Sequence, residues 1–194
     1  VRKQVPDAMR ISSQLGDAVT SLKTGGILAY PTEAVFGLGC DPRNEAALER
    51  LLQIKQRPAH KGLILIAAHF EQLAGYISPL NAEVLTRILP TWPGPYTWIL
   101  PALPEVSVLL RGEHASLAVR ISAHPVCQAL CQQFGQPIVS TSANPATQAP
   151  ARDLATLQHY FANQVDLALD LPLGQQTNPS EIRDALSGQL IRPS

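Results

Sequence analysis

The chain gathers cations, hydroxyls and amides into short clusters that abut apolar runs. Lys55-Gln56-Arg57-Pro58, with Lys61-Gly62 close behind, puts three cations within seven positions. A guanidinium fork and an ammonium point charge both suit phosphate oxygens, so this cluster could clamp phosphate. A helix dipole also favours cations at a C-terminus, and a solvated basic helix end is the commoner origin of such a run. The clamp reading gains from the adjoining segment, because Leu63 to Ile66 is an uninterrupted apolar run that keeps the cluster near a core.

Ser140-Thr141-Ser142-Ala143-Asn144 sets three hydroxyls and an amide after a second apolar run. Small-residue loops at strand ends can cradle anions through backbone N–H groups. It is not a Walker A loop, since the G-x-x-x-x-G-K-[ST] glycines and lysine are missing. Pro31-Thr32-Glu33 comes after a third run. It either ends a strand as a plain turn or lines the sheet rim, where α/β proteins bind ligands. Arg120 lies within the apolar stretch Leu117 to Ile121, so it either faces solvent or is buried against a carboxylate. Asn178 to Asp184 reads as a polar turn, and Arg192 sits in the last apolar run. The five histidines show no ligand spacing, and neither a nucleophile elbow nor a metal-ligand cluster is evident. The residues alone define an α/β domain with a basic, hydroxyl-lined anion site.

Alternating strand-like and helix-like segments must position these groups. Helices are expected over Ile11 to Leu22, stopped by Gly25-Gly26, over Glu45 to Lys55, from a Ser78-Pro79 cap to Leu89, over Pro125 to Phe134 with Gly135 as cap, and over Leu154 to Phe161 behind Asp153. Strands are expected at Ile27 to Tyr30, Val35 to Cys40, Leu63 to Ala67, Tyr96 to Leu100, Leu117 to Ile121, Ile138 to Ser140, Val165 to Leu169 and Leu190 to Arg192. Neither an internal repeat nor a linker breaks the pattern, so residues 1–194 read as a single domain.

Composition limits the function. Hydrophobic residues are 45% of the chain, enough for a core, while charged residues are 15% and the formal net charge is zero. A protein held to nucleic acid by bulk electrostatics usually carries a basic excess. Three cysteines do not suggest a disulfide framework and read as small buried side chains. No run is long enough for a membrane helix, and Val1 to Arg10 lacks a signal-peptide pattern. A cytoplasmic protein without a membrane is the resulting expectation.

Taken in order, Ala29-Tyr30-Pro31-Thr32-Glu33, Lys55-Gln56-Arg57-Pro58, Ser116-Leu117-Ala118-Val119-Arg120, Ser140-Thr141-Ser142-Ala143-Asn144 and Asn178-Pro179-Ser180-Glu181-Ile182-Arg183-Asp184 resemble the YrdC family, in its short bacterial form. The resemblance runs from about Gly25 to Arg192, and its specificity comes from five separated motifs agreeing. It implies a twisted, mostly open mixed α/β sheet with flanking helices and a concave basic cavity. It also implies an L-threonylcarbamoyladenylate synthase, which joins L-threonine, bicarbonate and ATP with release of pyrophosphate. A partner complex would then transfer the group to tRNA beside the anticodon. Magnesium would accompany ATP, with no metal site built from protein ligands.

By the same resemblance, Lys55, Arg57, Ser142 and Asn144 fall on catalytic and nucleotide positions. Lys61, Ser116 and Arg192 join the ATP side. Thr32, Arg120, Ser140 and Ser180 fall on the threonine side, with Arg120 meeting the carboxylate. Two departures stand out: many relatives have Asn-Pro where this chain has Lys61-Gly62, and many have Ser-Gly after the Ser-Ala-Asn loop, where this chain has Pro145-Ala146-Thr147. Longer relatives carry a second domain that this sequence lacks. Two rival readings remain: an RNA-binding module using the same cavity without catalysis, with weak RNA binding its mildest form, and a domain acting on carbamoyl phosphate.

Overall fold

The computed structural model describes residues 8–194; most of the segment Val1 to Arg10 lies outside them. Leu28–Pro31 forms strand β2 and Phe36–Gly39 strand β3, joined as a hairpin and buried throughout. Small residues let the layers close here: a Cβ on Gly39 would collide with the Val139 carbonyl oxygen. Helix α2, Glu45–Lys55, starts where the Asn44 side chain accepts from the Ala47 N–H. It stops at Gln56, whose φ of 47° is left-handed. Strands β4 (Ile64–Ala67), β5 (Tyr96–Pro101), β6 (Ser116–Ile121) and β7 (Ile138–Ser142) make the middle of the sheet. Helix α5, Pro125–Phe134, opens on proline and closes at Gly135 with φ 83°. Helix α6, Leu154–Phe161, is capped by Asp153 accepting from Thr156.

The remaining elements depart in part from the sequence expectations. Arg10–Ser12 pairs as strand β1 with β8 (Leu167–Leu169), so helix α1 begins later than expected, at Leu15, and runs to Lys23. The cap of helix α3, Ala82–Ile88, is Asn81 rather than Ser78. Ser78 is drawn away because its N–H bonds Pro101 O and its hydroxyl bonds Ala102 O. A short helix α4, Val108–Arg111, was not anticipated. The segment expected as a polar turn contains strand β9, Glu181–Asp184, which pairs parallel with β5, and β10 is Leu190–Arg192.

Among the described residues, ten strands join one mixed sheet in the order β1-β8-β2-β3-β7-β4-β6-β5-β9-β10. Side chains alternate between the two faces of a strand. One face carries Leu117, Val119, Trp98, Leu100, Leu65 and Val139, packed with α2 and α6 into the larger core. On the other face, α1 and α5 cover Leu28, Tyr30, Ile66, Ile138 and Leu167 as a smaller core. That cover does not reach the middle of β6, where Ser116, Ala118 and Arg120 alternate with the core residues. The incompletely covered part of this face becomes the site.

Candidate active site

A cavity of about 460 Å³ opens on this face. Its floor is set by the strand register: Ser140 on β7 faces Ile64 on β4, Ile64 faces Ala118 on β6, and Ala118 faces Ile99 on β5. Small and aliphatic residues keep that floor low, and polar groups rise around it. Arg57, Lys61, Arg111, Arg120 and Arg192 line the cavity, against one lining carboxylate, Glu33, among the described residues. Because β6 rises roughly 3.3 Å per residue, Ser116 and Arg120 mark points about 13 Å apart along the cavity.

The Arg120 end is a hydrogen-bond network. Arg120 is buried, and its Nη2 lies 3.4 Å from Glu33 Oε2. Its Nη1 donates to Ser180 Oγ at 2.8 Å, which in turn shares a 2.9 Å bond with Thr97 Oγ1. Ser122 Oγ donates to Glu33 Oε1 at 2.7 Å. The buried Nε of Arg120 has no partner. Arg192 reaches over from β10, its Nη2 donating to Ser180 O at 2.7 Å. Of the two sequence readings of Arg120, burial against a carboxylate is the one found. Thr32 satisfies both of its readings, since it lines the cavity while its hydroxyl closes a turn by donating to Val35 O.

At the other side, Lys55 does not line the cavity. Its Nζ instead donates to Ser142 O, Asn144 O and Asn144 Oδ1, spending all three N–H bonds on one loop. Asn144 is equally committed. Its Oδ1 also accepts from Ser142 Oγ at 2.6 Å, and its Nδ2 donates to Pro145 O and Gln148 O. Lys55 and Asn144 therefore shape the wall from behind, and Ser142 and Ser140 line the cavity itself. Burial, then the adjacent Arg57 charge, brings the Lys55 ammonium down to about 8. Arg57 is oriented by its Nε bond to Gly62 O at 2.9 Å. Burial lowers its pKa, and burial, then the charges of Arg120 and Arg57, lowers that of Arg192. Such mutual repulsion between cations is relieved by a bound anion.

Thr32, Arg57, Lys61, Ser116, Arg120, Ser140, Ser142, Ser180 and Arg192 thus meet at one cavity, with Lys55 and Asn144 behind its wall. Sequence reasoning quoted Glu33 without assigning it a role, and it missed Ser122 and Arg111. The available signal for Glu33 was its place directly after an apolar strand, whereas its pairing with Arg120 joins positions 87 residues apart. Nothing local pointed to Arg111, which the fold brings in from a distant segment. Among the described residues, no group of three or more His, Cys, Asp or Glu is placed to hold a metal.

A cavity on the open face of a mixed sheet, rimmed by arginines and hydroxyls, is the build of an α/β anion-binding enzyme. Residues 20–194 match the Sua5/YciO/YrdC family model, described as telomere recombination, and the chain belongs to that family. It is 50% identical over 182 residues to the threonylcarbamoyl-AMP synthase of Vibrio vulnificus strain YJ016, covering 93% of this chain and 98% of that one. It is 44% identical over 181 residues to the synthase of Coxiella burnetii strain RSA 331, covering 93% and 97%. The fold matches P. abyssi Sua5 complexed with L-threonine at a TM-score of 0.83 and 27% identity, over 92% of this chain. The chain spans only 54% of that larger protein.

Proposed function

We propose that this chain is a threonylcarbamoyl-AMP synthase and that the cavity on the open face is its active site. The observation that carries the reading is one cavity lined both by a buried arginine, Arg120, and by a phosphate-type cation cluster, Arg57 and Lys61. Such a cavity suits an amino acid against the buried arginine and a nucleoside triphosphate along the rest. The names of the two synthase relatives, and the L-threonine bound to P. abyssi Sua5, support the same substrates.

In this reading the threonine amine and bicarbonate give a carbamate and water. A carbamate oxygen then attacks the α-phosphorus, the bond to the β-phosphate oxygen breaks, and pyrophosphate leaves. Arg120, held by Glu33 and Ser180, takes the threonine carboxylate as a fork. Thr32, Ser140 and Ser180 meet its remaining polar atoms. Arg57 and Lys61 neutralise phosphate charge, with Ser116, Ser142 and Arg192 as further nucleotide contacts. Lys55 and Asn144 act through the Ser142 loop. The chemistry needs positioning and charge stabilisation rather than a protein nucleophile. Magnesium would arrive with the phosphates, because Glu33 is already engaged by Arg120 and Ser122. It would add positive charge where phosphate charge develops. We place the reaction in the cytoplasm, with its product passed to a separate complex that modifies tRNA.

The test is pyrophosphate release from ATP, with bicarbonate and magnesium, with and without L-threonine. Threonine-dependent release that falls at least about a hundredfold in Arg57→Ala is expected. Release that ignores threonine, or none from folded protein, refutes the synthase reading. RNA affinity with a steep salt slope would then favour the binding-module alternative.

A further inference from the structure

Arg111 is a cavity residue that none of the sequence motifs contains. It ends α4, far along the chain from the Lys55 cluster, yet the two segments are locked together. Leu63 N–H donates to Leu110 O at 2.7 Å. At Gly62, whose φ is +65°, a Cβ would stand 3.0 Å from Arg111 O. At Gly112, with φ +67°, a Cβ would collide with His60 O. Only glycine accommodates both the left-handed backbone and the close approach, so two glycines allow the two loops to touch.

That contact sets Arg111 beside Lys61 on the cavity wall. Its side chain is fixed by two bonds, Nε to Val106 O at 3.1 Å and Nη1 to His114 O at 2.7 Å. Arg57 is fixed in the same way through Nε. Among the described residues, nothing accepts from Arg111 Nη2 or from either Nη of Arg57. Arg57, Lys61 and Arg111 are thus three cations whose outer donors remain for a ligand. The lining carboxylate, Glu33, is paired with Arg120 instead. An excess of fixed positive charge, presented by oriented forks, matches an anion with several charges and many acceptors.

We propose that Arg111 completes an oligophosphate subsite with Lys61 and Arg57, which takes the β- and γ-phosphates of the nucleotide and holds pyrophosphate as it leaves. The proposal rests on the synthase reading and adds a phosphate-binding residue to it. In this assignment Arg111 meets the β- and γ-phosphates and not the α-phosphate, so it distinguishes a long anion from a short one.

Calorimetric titration of the full chain with inorganic pyrophosphate, AMP and ATP tests this, using wild type, Arg111→Gln and Arg111→Lys. Glutamine keeps an N–H donor for the loop carbonyls and removes the charge, and a thermal melt of each variant reports the fold. The expected result is about tenfold weaker pyrophosphate binding in Arg111→Gln, partial recovery in Arg111→Lys, and unchanged AMP affinity. Unchanged pyrophosphate binding in Arg111→Gln overturns the subsite while leaving threonine-dependent synthesis by the wild type intact. Equal losses for AMP and pyrophosphate overturn it too, since Arg111 would then act only through the fold. Wild-type protein that binds no ATP refutes the synthase reading, and the subsite falls with it.

Discussion

Raising the pH through 8 should disarm the Ser142–Asn144 loop without unfolding the protein. Lys55 holds three acceptor oxygens of that loop, which requires three N–H bonds and hence the ammonium form. Burial and the Arg57 charge bring that group down from 10.5 to about 8. One unit above this, about a tenth of the molecules keep the charged form, and the neutral amine has only two donors for three acceptors. Threonine-dependent pyrophosphate release, measured from about pH 7 to 9.5 at saturating bicarbonate, should therefore fall about tenfold in kcat/KM per unit above 8. Stability should move the other way. Lys55 loses its proton more readily in the folded protein than in the unfolded one, so unfolding takes up a proton between about pH 8 and 10.5, and stability rises with pH across that window. Lys55→Met should remove this gain and be nearly inactive at every pH. Activity that stays flat to pH 9.5 in the wild type would refute the ammonium tether.

Two further perturbations separate architecture from chemistry. Thr147 has a φ of 69°, strained for a β-branched residue. Thr147→Gly should stabilise the fold by about 1 kcal/mol and raise Tm by roughly 2–4 °C in thermal unfolding; a lower Tm contradicts the strain. Glu33→Gln removes the charge facing Arg120, and the cost should be about 2 kcal/mol, below that of a fully enclosed pair because the cavity admits water. The KM for threonine should rise well beyond that for ATP, and equal changes in both would show that Glu33 serves the whole cavity rather than Arg120.

Most of the strands and longer helices were legible because their apolar runs and caps are local signals. Asp153 and Gly135, both read as caps, punctuate helices in the structure. The failures come where a distant partner decides. Ser78 has the chemistry of an N-cap, but hydrogen bonds to Pro101 and Ala102 claim it. Glu181 to Asp184 looks like a polar turn because its burial is only partial, and pairing with β5 and β10 makes it a strand. Arg10 to Ser12 is too short to declare itself before β8 pairs with it. The site shows the same division. Short motifs marked the cations and hydroxyls, whereas the bracing of Lys55 against the serine loop joins positions 87 and 89 residues apart.

Charge shows most directly what folding adds. A formal net charge of zero argues against a protein that attracts polyanions with its whole surface. It says nothing about where the charges lie. The sheet leaves one face uncovered along β6 and gathers Arg57, Lys61, Arg111, Arg120 and Arg192 around the gap. Other charges are spent elsewhere, as in the Arg50–Asp166 pair at 2.7 Å. The field is therefore local, confined to a cavity of about 460 Å³. A cavity of that size suits a small, highly charged substrate better than a nucleic-acid backbone, which would need a basic surface extending beyond it. The neutrality that weakens the nucleic-acid reading is thus compatible with a strong phosphate site, and the gap left by α1 and α5 is what reconciles them.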